Sequence, residues 1–285
     1  MKALFTAALS VIFLTNTVTA QDSMQVNQMV GEKNKTRSQS PYHTSFKKDA
    51  PILGVGLGLT ALGVYLIQNK DTLTSAEVAT KTRDKVPFFD RGNVGNYDKK
   101  IDRDSYIPFN ASFAMPVIMM LINKNERQHA GQVMVMYVES MAITGASFTL
   151  AAGIFNRSRP LVYGTKAPPD QRRSATNQRS FFAGHTAATA SATFFMAKVF
   201  QDFNPNSKAK PYVWAVAAAV PALVGYMRYQ SGYHFLSDNL LGYVIGAASG
   251  ILIPEWHKRK VLKDLSFAPE FGKGYKGIAF TYRLK

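Results

Sequence analysis

The stretch RYQSGYHFLSD, residues 228–238, sets an arginine, a histidine and an aspartate between two apolar runs. Gly232 favours a turn, and NLLGYVIG then reads as a helix. His234 therefore lies near a helix N-terminus, with Asp238 one turn later on the same face. A carboxylate so placed can accept a hydrogen bond from one imidazole nitrogen, fix the tautomer and leave the other nitrogen basic. That arrangement orients and activates a nucleophile. Arg228, just before the turn, can point its guanidinium into the same space. A guanidinium fork matches phosphate oxygens, and a helix N-terminus favours the same anion. Taken alone, the stretch also fits a surface histidine with local hydrogen bonds.

Two further stretches point the same way. RSFFAGHTAATAS puts Gly184-His185-Thr186 at the start of another apolar helix. Gly184 lets the backbone come close to an anion, and His185 faces that anion from the helix start. FNRSRPLVYG ends a helix at Arg159-Pro160, so Arg159 is held at the helix mouth. Between them runs the basic loop TKAPPDQRRSATNQRS with Lys166, Arg172, Arg173 and Arg179, each of which also fits a solvated cation. His43, His129 and His257 read as surface residues. No HExxH, P-loop or EF-hand pattern is present. Cysteine is absent, which excludes disulfides, thiolate metal sites and a cysteine nucleophile. No metal and no cofactor are expected.

Taken in order, Arg159-Pro160, Gly184-His185 and Arg228-x5-His234-x3-Asp238 resemble the signature of the phosphatidic acid phosphatase type 2 superfamily, which also includes the vanadium haloperoxidases. The resemblance covers roughly residues 50–256 and implies a helical core. It implies phosphoryl transfer through a phosphohistidine, with His234 as nucleophile, Asp238 as its orienter and His185 as the acid for the leaving oxygen. Arg159, Arg228 and the Gly184 amide would hold the phosphoryl oxygens, with no metal. Three positions depart from the pattern. Ala152 stands where the family has a lysine, Phe182-Ala183 where it has Pro-Ser, and Met227 where it has Ser. Arg157 and Lys166 are the cations that could replace the lysine.

The elements that must position these residues are helices. Apolar segments cover 51–67, 107–122, 133–155, 180–200, 212–229 and 239–253, rich in Ala, Leu, Met and Gly and mostly longer than strands. The predicted fold is all-α, a bundle of about six core helices with a short C-terminal β-hairpin suggested by the alternation in GIAFTYRLK, 277–285. Charged residues fill 69–106, with a shorter helix near TSAEVATKTRD. The predicted organisation is a signal peptide over 1–20, a flexible polar arm over 21–48, the helical domain over 49–260 and a tail over 261–285. The leader reads from Lys2, an apolar middle and Val18-Thr19-Ala20. Small residues are frequent, as in membrane helix packing, although Glu139 interrupts the longest apolar run; we expect membrane association.

The 285 residues carry a net charge of +16, which calls for an anionic partner. Export turns that partner from nucleic acid to phosphate or lipid headgroups, and places the protein in the membrane or periplasm of a bacterial envelope. The leading expectation is a metal-independent phosphatase for a phosphorylated or pyrophosphorylated lipid, or a small phosphate ester. The alternatives are a non-catalytic phospholipid-binding protein of the same fold and a vanadate-dependent haloperoxidase.

Overall fold

A computed structural model of the chain describes residues 39–258 and, as backbone alone, two segments of the tail. The leader expected at 1–20 and most of the expected arm lie outside the described residues. The arm ends earlier than predicted. Tyr42 is fully buried, donates its hydroxyl to Asp202 at 2.7 Å and pairs its backbone with Lys258.

Six long helices form the bundle: α1 (Phe46–Gln68), α2 (Tyr106–Ile122), α3 (Ala130–Ile154), α4 (Gly184–Phe203), α5 (Lys210–Gln230) and α6 (Leu236–Trp256). Short helices at Ser75–Ala79 and Lys99–Asp104 break the 69–106 connector, as its charged composition suggested. In the tail, Leu265–Gly272 and Tyr275–Tyr282 run antiparallel, but none of its side chains is described. Over residues 39–258 the fold is all-helical, as predicted.

α4 is the central rod. Its Ala187, Ala190, Ala192, Phe195 and Ala197 are wholly buried on several faces at once, as an element apolar all round requires. α6 lies against it at backbone distance. A Cβ at Gly242 would stand 2.5 Å from the Ala183 carbonyl oxygen, and one at Gly250 2.5 Å from that of Ser191. At Gly246 it would meet the Ala187 oxygen still closer. A glycine every fourth residue thus lets two helices touch without side chains between them. This contact brings the starts of α4 and α6 side by side.

The outer faces are apolar. Val55 and Leu57 on α1, Ile118 and Leu121 on α2, and Leu240 and Leu252 on α6 are all exposed. Among the described residues, four stretches are long and apolar enough to cross a membrane: Phe46–Gln68, Lys99–Ile122, Ala130–Ile154 and Leu236–Trp256. An apolar belt of this extent on a long-helix bundle belongs in lipid, and the protein is membrane-associated. Glu139, which interrupts the apolar run of α3, points into the bundle and is fully buried.

Candidate active site

At one end of the bundle, α4 and α6 begin and α3 and α5 end. The turn joining α5 to α6 depends on Gly232. Its φ is +79°, and a Cβ there would collide with the Asn96 backbone. Asn93, buried in the connector, donates its amide to the carbonyls of Tyr229 at 2.8 Å and His234 at 2.9 Å. The turn is thereby fixed from both sides.

His234 is buried, and its Nδ1 lies 2.8 Å from the Ser180 carbonyl oxygen. A carbonyl only accepts, so Nδ1 carries the proton and Nε2 keeps its lone pair. The direct Asp238–His234 bond expected from the sequence does not form. Asp238 accepts instead from the Ser180 hydroxyl at 2.6 Å, from the Phe235 amide at 2.9 Å and from Arg157. The carboxylate caps α6 and grips Ser180, whose carbonyl then holds His234. The aspartate therefore acts on the histidine through one intermediate residue. Burial and the neighbouring Arg159 and Arg228 hold the His234 pKa well below the usual imidazole range.

Arg159 and Arg228 flank this histidine, and Arg179 joins them beside His185. Arg159, buried just past α3, donates to Asn177 Oδ1 at 3.2 Å and stacks 4.7 Å over the Tyr233 ring. Arg228, buried on the last turn of α5, also lies over the Tyr233 ring, 4.5 Å from its centroid, and pairs with Asp102. Arg179 reaches in from the basic loop. In each, the buried Nε–H has no acceptor among the described residues. Desolvation, with Arg228 and Arg179 nearby, depresses the Arg159 pKa to about 9. Three guanidiniums held together without full neutralisation make a strong anion field.

His185 sits on the first turn of α4, half-buried against the rings of Tyr106 and Phe109, with centroids 5.0 and 4.4 Å away. Desolvation and the same three arginines hold its pKa well below the ordinary value. Among the described residues, the amides of Gly184, His185 and Thr186 have no acceptor, as expected at a helix start. Gly184 is also required by packing, because a Cβ would come 2.6 Å from the Phe148 ring.

The two cations expected to replace the family lysine do not face this pocket. Arg157 is bound to Asp90 and Asp238 and stacks on Phe235. Lys166 is exposed on its loop. Ala152 is fully buried inside the bundle. Arg179, read from the sequence as one of several loop cations, is the one that reaches the site. The sequence reading also missed the connector. Asp90 ties Arg157 to the Ser237 amide at 2.9 Å, and Asp102 with Ser105 holds Arg228. Their charge was legible, but their partners lie far along the chain.

An apolar groove of about 500 Å³ opens beside the site between α5 and α6, lined by Thr186, Gly225, Tyr226, Leu236, Leu240 and Tyr243. Thr186 and Leu236 place its inner end next to His185 and the α6 start.

The model of the PAP2 superfamily matches residues 133–262, from α3 to the end of α6. That segment holds Arg159, Arg179, His185, Arg228, His234 and Asp238. No curated protein matches the chain. Among solved structures it is similar to the crystal structure of the first transmembrane PAP2 type phosphatidylglycerolphosphate phosphatase from Bacillus subtilis. The identity is 18%, the match covers 74% of this chain and 96% of that one, and the TM-score is 0.42.

Proposed function

We propose that the chain is a phosphatase of the PAP2 superfamily, whose model matches residues 133–262, and that it cleaves the phosphate of a lipid through a phosphohistidine on His234. The observation that carries this reading is the set of three buried Nε–H groups, on Arg159, Arg179 and Arg228, without acceptors among the described residues near two histidines. Unsatisfied buried donors are costly, and a phosphoryl group would satisfy them.

His234 Nε2, with its lone pair free, attacks phosphorus and forms the N–P bond while the ester P–O bond breaks. His185 gives its proton to the departing oxygen. Water then attacks the phosphohistidine, passes a proton to His185, and releases phosphate and neutral His234. The arginines and the α4 amides stabilise charge on the phosphoryl oxygens through both steps. Asp238 and Ser180 keep the His234 tautomer. Arg179 takes the part of the missing lysine. In the free protein burial, and after it the arginine field, lowers the His185 pKa; a bound dianion would offset that field and favour the acid form.

The groove between α5 and α6 suits an acyl chain, with the headgroup at the arginines, and this favours a lipid over a small soluble ester. The test is phosphate release by purified protein in detergent. Lipid phosphates should turn over faster than water-soluble phosphomonoesters of similar leaving group. Equal rates for both would remove the lipid, and no release from either would leave a binding protein.

A further inference from the structure

At the opposite end of the bundle, about 30 Å away along α6, lies a second polar cluster that phosphoryl transfer does not use. Asp49 on α1, Glu139 on α3 and His257 just after α6 are all buried, and one ligand atom from each falls within 4.8 Å of the others. His257 was expected at the surface; it is in the core because the chain turns back there to meet His43 and Tyr42.

The arrangement leaves one valence open. His257 Nδ1 lies 2.9 Å from the Ile253 carbonyl oxygen, so it donates there. Nε2 then faces Glu139 Oε2 at 3.2 Å and Asp49 Oδ1 at 3.4 Å. Asp49 has an outer partner, accepting from the Ser45 amide at 2.6 Å. Glu139, fully buried, has no hydrogen-bond partner for either oxygen. The nearby lysines do not neutralise the cluster. Lys198 and Lys258 are both bound to Asp202 and Glu255. Two carboxylates and an imidazole lone pair converging in a buried site call for a cation between them.

We propose that Asp49, Glu139 and His257 bind a divalent transition-metal ion, with zinc as the best fit, which clasps α1, α3 and the end of α6. Ligand bonds of about 2.0–2.2 Å around tetrahedral zinc put neighbouring ligand atoms about 3.3–3.5 Å apart, and the two imidazole–carboxylate separations, 3.2 and 3.4 Å, are close to that spacing. A mixed nitrogen and oxygen set suits zinc, and the imidazole held through Nδ1 by a carbonyl is how metal-binding histidines are oriented. The site is structural: it lies far from His234, and its ligands come from three helices. It is independent of the phosphatase reading.

The test uses the full chain in detergent. Stripped protein is titrated with Zn²⁺, followed by metal analysis after gel filtration and by thermal melting. Wild type should retain about one zinc per chain, and its Tm should rise by about 5 °C or more at a free zinc concentration a hundredfold over Kd. Glu139→Gln, of the same volume, should lose both responses. Wild type that retains no zinc and melts unchanged would overturn the proposal. Zinc retained equally by folded Glu139→Gln would overturn the assignment of the ligands.

Discussion

The free Nε2 of His234 follows from one hydrogen bond, because a carbonyl at Nδ1 permits only one neutral tautomer. The sequence made Arg228, His234 and Asp238 legible as a group, since all three lie on one turn and the helix after it. It could not show that the aspartate reaches the histidine through Ser180, which is 54 residues away in the chain. Nor could it single out Arg179 among the loop cations, because what distinguishes it is burial of Nε. Arg179→Ala should lower kcat/KM about tenfold to a hundredfold, the effect of one charged hydrogen bond of about 1.5–3 kcal/mol made in the transition state. The same change at exposed Lys166 should leave the rate near wild type, and steady-state kinetics on both variants reads the contrast. A second expectation concerns His185. Its depressed pKa rises when an anion offsets the arginine field, so binding takes up a proton. Affinity for sulfate, a dianion throughout, should therefore tighten as pH falls from 8 to 5, as read by titration calorimetry. A flat profile would mean that His185 is not beside the bound anion.

At the scale of elements, the six helices and the place of each motif at a helix end were readable from composition and run length. Their packing was not. The close contact of α4 and α6 rests on Gly242, Gly246 and Gly250, whose role depends on which way each faces. Gly246→Ala should force the Ala187 backbone away, at about 1–3 kcal/mol typical of overpacking. Gly54→Ala on α1, where a Cβ meets nothing within 4 Å, is the control. Melting of both variants in detergent should separate them by several degrees, and equal melting would mean the helices slide apart without cost. The fold also hides an acid outside the long helices. Glu126, buried between α2 and α3, has its pKa raised from 4.5 to about 8 by desolvation. The native state then holds a proton that the unfolded chain has lost. Its contribution to stability is complete below about pH 4.5 and disappears as pH rises towards 8. Glu126→Gln should flatten that part of the stability profile, measured by denaturant unfolding across the range.

For the whole molecule, the membrane reading joins the apolar belt to a charged site at one end. The high positive charge pointed to an anion, but only the fold shows how it is divided. Some cations are bound to Asp90, Asp102, Asp202 and Glu255, and a few remain turned into the pocket. The central claim is that His234 carries the phosphoryl group, and the most direct test traps that intermediate. In His185→Ala nitrophenolate still departs from nitrophenyl phosphate without a proton donor, while the base for the second step is missing. Rapid quenching with labelled substrate should then yield an acid-labile, alkali-stable phosphate on the peptide containing His234. A wild-type enzyme that turns over this substrate, paired with a folded His185→Ala variant that hydrolyses it with no label at His234, would contradict the account.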